Sequence, residues 1–413
     1  MTFRGLDLHP TTQRLLLARA LRSIGQGVLV VDMALYLAAL DWTSVTIGLV
    51  FSASSLLGAG LSLVVGTSSD RLRRKPFLLI YEALSMAASV AALVTAHRAV
   101  LATAIIVAGF GRGAGGAAGP FSPAEQAWLA EDLPPRRRGL VYSLNTALGF
   151  FGMGLGALIA GAPALWRAIL PGAEGYRPLF AVTGLVAIAG FVVLSGASER
   201  YHRPPVVTDA QQQQHLAAVR RQENQILAKL VAVNSFNGLA IGLTGPLMSY
   251  WFALRFGVGP EAIGTVMAVS FVIAGLSALV TGRLTERIGI ISSVVWERLV
   301  GVILLAVLPV MPVYGLAALI YVLRGAFSRG TAGARQALAV GLVRDERRGL
   351  ATSLNSVSAQ VPRSIGPTIA GYLLDLGHFA VPFYAAAALQ GVYLLLYDRV
   401  FRGYEPHEPE ADQ

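Results

Sequence analysis

Runs of apolar residues about as long as a bilayer crossing recur along the whole chain, separated by short polar joints. IGLVFSASSLLGAGLSLVVG (Ile47–Gly66) and LFAVTGLVAIAGFVVLSGA (Leu179–Ala197) are two of them, each close to the ~20 residues a helix needs to cross the hydrocarbon core. The pattern predicts an all-α membrane protein with twelve spans, over 14–40, 46–66, 77–96, 99–130, 140–162, 178–198, 229–256, 262–282, 290–310, 312–342, 350–374 and 379–400. Most joints are only a few residues long. The exception runs from Glu199 to about Ala228 and holds HRPP, QQQQ and AAVRRQENQ, which predicts a polar linker with one short amphipathic helix. It divides the spans six and six, giving an N-terminal bundle over 1–198, a linker over 199–228, a C-terminal bundle over 229–400 and a tail over 401–413.

The two sets of six resemble each other. RRGLVYSLN (Arg137–Asn145) returns as RRGLATSLN (Arg347–Asn355), in each half at the entry to the fifth helix. Gly48 and Gly66 answer Gly264 and Gly282, YEAL (Tyr81–Leu84) answers WERL (Trp296–Leu299), Arg112 answers Arg324, and GALIAG (Gly156–Gly161) answers GPTIAG (Gly366–Gly371). Two copies of one six-helix unit in the same orientation imply a pseudo-twofold axis along the membrane normal, with the functional site between the halves.

Composition agrees with a membrane setting, with 54% hydrophobic and 14% charged residues, whereas soluble domains carry about a quarter charged. The net charge of +10 raises the question of nucleic acid, and the placement of the charges answers it. With the N-terminus inside, basic residues crowd the inner joints and tails, at Arg71 to Lys75, Arg136 to Arg138, Arg220, Arg221, Arg283, Arg287, Arg344, Arg347 and Arg348 among others. The outer joints hold Arg98, Arg167, Arg177 and Arg255. By the positive-inside rule both termini are expected in the cytoplasm, at the cell membrane, and no nucleic-acid partner is needed to explain the charge. There is no cysteine, which excludes disulfides, thiolate chemistry and Cys-ligated zinc. The six histidines fall in tails, loops or their edges. The polar N-terminus MTFRGLDLHPTTQ lacks a signal peptide's apolar core, so helix 1 is expected to be the insertion signal. No metal-ligand spacing, phosphate loop or nucleophile–base arrangement is found, and neither a cofactor nor an enzymatic activity is expected.

GTSSDRLRRK (Gly66–Lys75), between helices 2 and 3, resembles the signature G-x-x-x-D-R-x-G-R-[KR] of the major facilitator superfamily, and GRLTERIG (Gly282–Gly289) stands where its second copy belongs. The resemblance covers nearly the whole chain. It implies that Gly66 permits close helix approach, that Asp70 caps and pairs at the inner gate, and that Arg71 and Arg74 tie helix ends together in the outward-open state. Arg73 stands where the signature has glycine, and Ser68 where leucine is usual. RGAGG (Arg112–Gly116) is similar to the helix 4 motif of proton-coupled members. The Gly-Pro pair of the antiporter branch falls in helix 11, at Gly366 and Pro367, with Ala157 at the matching place in helix 5.

An ionised group near the bilayer centre costs about 2.5–3.5 kcal/mol or more, so each intramembrane charge needs a partner, water or a task. Asp32, past the middle of helix 1, is an acid whose counterpart in the second half is Met248. It is the candidate proton carrier, since desolvation can bring a carboxyl toward titration near neutrality; a static ion pair is the alternative. Arg112, Arg329 and Arg363 are candidate substrate contacts, with packing or charge balance as the other reading. Tyr36, Tyr250 and Trp251 either stack on a substrate or belong to the interfacial aromatic belt. Glu125 is grouped with the gating residues, bound either to the motif arginines or, across the inner gate, to Arg335. These features lead to an expected monomeric secondary transporter that exports small organic or amphipathic compounds in exchange for protons. Uptake or symport of a small organic anion is the alternative, and a non-transporting receptor stands further off.

Overall fold

A computed structural model describes residues 8–68, 73–111, 119–131, 135–199, 210–343 and 348–404. Its regular elements are all helical, and they assemble into twelve spans. In the first half these are α1 (Pro10–Ala39), α2 (Ser44–Ser68), α3 (Arg74–Val94), the pair α4 (Arg98–Ala108) and α5 (Ser122–Glu131), α6 (Pro135–Ile159) and, after the short α7 (Pro163–Trp166), α8 (Arg177–Ser195). In the second half they are α9 (Ala210–Thr244) with α10 (Met248–Phe256), α11 (Pro260–Ile288), α12 (Ile290–Val307), α13 (Tyr314–Arg329) with α14 (Ala332–Gly341), α15 (Arg348–Asp375) and α16 (Val381–Phe401). Eight helices among the described residues are long and apolar enough to cross a membrane by themselves. Exposed Leu57, Val64, Ile80, Val94, Leu185, Val192, Trp296, Ile303 and Leu395 give the bundle an apolar outer surface. That is the arrangement expected where the surrounding solvent is lipid.

Three spans are broken, and the reason is local. The fourth stops at Ala108 because Gly109 and Gly111 turn left-handed, each at φ 77°, a region that costs a residue with a Cβ but not glycine. Beyond the residues not described, 112–118, the next described helix begins at Ser122, after Gly119 and Pro120. A kinked but continuous span was expected here from Pro120 and Pro123. The seventh is interrupted at Gly245–Leu247 around Pro246, which cannot donate to the helical ladder. The tenth breaks at Gly330 and Thr331. A further departure concerns the linker: its helix is not a separate element but the beginning of α9, which runs unbroken for 35 residues into the seventh span.

The halves meet along two seams that repeat each other. Gly48 of α2 lies against the Pro367 backbone of α15, and Gly264 of α11 lies against the Ala157 backbone of α6. One turn on, Gly371 packs on Ser44 and Val45, while Gly161 packs on Glu261. These are the residues that the internal repeat pairs with one another, so the sequence symmetry is also the symmetry of the interface. A side chain at these glycines would meet backbone, which cannot move aside.

Both ends of the described chain and the start of α9 emerge at one end of the bundle, hereafter the terminal end. At the opposite, far end the halves are joined by hydrogen bonds. Asp375, at the C-terminus of α15, accepts the backbone N–H of Ser44 and of Val45, both at 3.0 Å, so the second half caps the N-terminus of α2. Ser44 Oγ donates to the Tyr250 hydroxyl at 3.3 Å, Ser249 Oγ to the Val30 carbonyl at 3.4 Å, and Ser52 and Thr368 share a hydroxyl pair at 2.7 Å. Among the described residues, the hydrogen bonds between halves all lie from the far end to the middle of the bundle.

Candidate functional site

A cavity of about 80 Å³ opens beside α1, lined on the first half by Arg22, Gln26, Leu29, Tyr81, Glu82 and others, and on the second by Gln360 and Arg363 of α15. Its polar wall is a buried charge cluster. Arg22 is 5% exposed, its Nε donates to Glu82 Oε1 at 2.8 Å, its Nη1 donates to Glu125 Oε2 at 2.5 Å, and its guanidinium lies 5.3 Å from the Tyr81 ring centre. One cation thus ties α1 to α3 and to α5. Removing it would strand two buried carboxylates, a loss on the order of 3–5 kcal/mol. Among the described residues the partner of Glu125 is Arg22 rather than Arg335; the motif residue Arg71 lies outside the described residues.

Gly25, Gln26 and Leu29 carry the cavity along one face of α1, and at helical spacing Asp32 is the next residue on that face. Asp32 is 3% exposed, and neither carboxyl oxygen has a hydrogen-bond partner among the described residues. It sits in the apolar cluster that contains Val31, Met33, Phe51 and Met248. The Val30 carbonyl bonded by Ser249 is two residues away, so the acid lies where α1 meets α10 of the other half.

The remaining candidates separate. Arg363 is half-buried and faces the cavity. Arg329 is held within the second half, donating to Ser270 Oγ at 3.1 Å and to the Tyr321 hydroxyl at 2.8 Å, with its guanidinium 4.8 Å from the Phe271 ring centre. Tyr36 is buried against Phe180 and Tyr176, with ring centres 5.0 and 6.0 Å away. Trp251 is buried with its indole N–H donating to the Phe379 carbonyl at 2.9 Å, and Tyr250 is bonded to Ser44. None of these three aromatics lines the cavity; the two fully buried ones are packing residues rather than members of a surface belt. Arg74 donates its backbone N–H to Glu199 at 2.5 Å, joining the start of α3 to the end of the sixth span. Gly66 lies within α2. Asp70, Arg71 and Arg112 lie outside the described residues. Sequence reasoning missed Arg22 and Glu82 as cavity residues; the signal was present in Arg19 and Arg22, two arginines one turn apart inside the mostly apolar first span.

The profile of the Major Facilitator Superfamily matches residues 15–229 and 230–412, and the chain belongs to that family. By family and fold it is a multi-pass membrane transporter. No curated protein matches the chain in sequence. Among solved structures, a bacterial homologue of the human lysosomal transporter Spinster, inward-facing and unoccupied, aligns with a TM-score of 0.71 at 14% identity, covering 97% of this chain and 98% of that one. The nucleoside transporter NupG aligns at 0.69 and 12% identity, covering 95% and 99%. A D-xylose–proton symporter aligns at 0.67 and 15%, covering 94% and 96%. At these identities the likeness is one of fold.

Proposed function

We propose that the chain is a proton-coupled secondary transporter of the cell membrane, with the terminal end cytoplasmic, that exports small organic compounds through the space between its halves. The observation that carries the reading is Asp32: a buried carboxyl without a counter-charge among the described residues, one turn beyond the cavity and beside the contact that must part when the far end opens. Water entering from an opened far end would let the carboxyl exchange a proton with the outer side, and burial on closure favours keeping it. A group that changes surroundings between two states in this way can take up a proton on one side and release it on the other. One charge moving through ~100 mV is worth about 2.3 kcal/mol, enough for a roughly fortyfold gradient, so a single carboxyl suffices. The cavity as it stands is far below the ~300 Å³ at which drug-sized sites begin. An organic substrate therefore needs the halves to part at one end.

The test uses tetraphenylphosphonium as a lipophilic cation in proteoliposomes. Wild-type protein should accumulate it under a pH gradient and exchange it without one. Asp32→Asn keeps the shape of the side chain but carries no proton, and should retain exchange while losing accumulation. Full pH-driven accumulation by the variant would remove Asp32 from the mechanism. A second reading, carriage of an organic anion, is favoured by Arg363 facing the cavity opposite Arg22. It expects exchange of a labelled carboxylate and none of the lipophilic cation.

A further inference from the structure

Buried charge is balanced differently in the two halves. In the first, Arg22 is held between Glu82 and Glu125. The second carries Arg298 on α12, Arg324 and Arg329 on α13, and Arg335 on α14, with Glu297 the acid next to them in sequence. Glu297 accepts instead from the Thr281 hydroxyl at 2.7 Å. Among the described residues, no carboxylate pairs with any of these four arginines.

Arg298 is the deepest of the four, at 2% exposure. Its Nη2 donates to Asn237 Oδ1 of α9 at 2.5 Å, and its guanidinium lies 4.9 Å from the Tyr393 ring centre of α16. Its Nε has no partner. Arg335 and Tyr397 are close enough to act on it electrostatically, and Tyr397 packs its ring on Tyr393 at 5.4 Å. The Nε of Arg335 and the hydroxyls of Tyr393 and Tyr397 are buried and also without hydrogen-bond partners among the described residues. Among the described residues the neighbourhood thus holds two guanidinium groups and two tyrosine hydroxyls, and the acceptor bonded to Arg298 is an amide. Burying cations without an anion is strongly unfavourable. Among the described residues this region lacks a negatively charged acceptor, and the planar fork of arginine is suited to an oxyanion.

We propose that Arg298, Arg335, Tyr393 and Tyr397 form a binding site for a small oxyanion, a carboxylate or phosphate group, inside the second half and distinct from the cavity between the halves. Occupied, it would tie α12, α14 and α16 together and supply the counter-charge that Glu82 and Glu125 supply in the first half. Neither the direction of transport nor the role of Asp32 enters this assignment.

The test follows thermal unfolding of the full chain in zwitterionic nanodiscs, with chloride at equal ionic strength as the reference. Three probes are used: millimolar sodium phosphate, millimolar sodium succinate, and phosphatidylglycerol incorporated in the disc. At least one should raise the unfolding temperature by about 3 °C or more, and which one does so distinguishes a soluble anion from a lipid headgroup. Arg298→Met and Arg335→Gln should each remove the shift, and Arg363→Gln should keep it. Should Arg298→Met fail to fold, Arg335→Gln at the half-buried Arg335 together with Tyr397→Phe gives the same information. Absence of a shift with all three probes overturns the proposal. A shift that survives Arg335→Gln, or that Arg363→Gln abolishes, also overturns it, since the anion would then lie elsewhere.

Discussion

Replacing Asp375 with alanine removes an interaction that exists only while the far ends of the two halves are together. Two N–H groups at the start of α2 lose a carboxylate held at 3.0 Å. Loss of a helix N-cap costs about 0.5–2 kcal/mol, and loss of a negative charge at a helix N-terminus about 0.3–1 kcal/mol. The contact to Val45 is exposed, which lowers the second term, and Thr43 still caps Thr46 from within the same segment at 3.2 Å. The net effect is about 1–2 kcal/mol against the far-closed state, which multiplies the population of the far-open state by about 5- to 30-fold. Because the chain has no cysteine, Ala370→Cys provides a single reporter thiol, buried beside the seam between α15 and α2. Its alkylation by a membrane-impermeant maleimide, followed in nanodiscs, should accelerate in Asp375→Ala by that factor. Asp375→Asn, which retains one acceptor oxygen, should fall between. An unchanged rate in Asp375→Ala would show that this cap does not hold the far end closed.

Three further outcomes are expected. Arg22→Ala, which strands Glu82 and Glu125, should destabilise the protein by about 3–5 kcal/mol in chemical unfolding, whereas Glu125→Gln, which keeps a hydrogen-bond acceptor, should cost less than half as much; equal costs would argue against one shared cluster. Arg363→Gln should weaken ligand binding at least tenfold in equilibrium titration, against less than twofold for Arg402→Gln, whose side chain pairs with Asp398 on the surface. Gly264→Val should depress transport in proteoliposomes by tenfold or more while leaving expression measurable, since the new methyl groups meet the Ala157 backbone across the seam.

The spans were legible because the cost of burying a polar backbone in lipid leaves helices as the economical solution, and their length is set by bilayer thickness. The repeat was legible because both halves use the same residues where they touch: Gly48 with Gly264, and Ala157 with Pro367. Side-chain pairing was not, because it depends on rotation of a helix about its axis. Glu125 is the example. Its position on the fourth span suggested partners at the inner loops, whereas the structure sets it against Arg22 of α1. Gly109, Gly111 and Pro246 marked breaks that the hydropathy pattern runs through, since a window of apolar residues does not register φ. The acid in helix 1 was visible as an anomaly of composition, but its lack of a partner among the described residues is a property of packing.

The two seams share a geometry but not a strength. At the α2–α15 seam the first N–H groups of α2 are bonded by Asp375, whereas the α11 residue matching Ser44 is Pro260, which has no N–H to offer. There the link is Arg167 to Glu261, a solvent-exposed pair at 3.4 Å, of a kind worth about 0–1 kcal/mol. The far end should therefore part first along the α6–α11 edge while the α2–α15 edge still holds, so that the halves swing apart as a door does on its hinged side. Water entering by that route would arrive from one flank of α1, and the order in which the two edges release would set the barrier to each transport cycle.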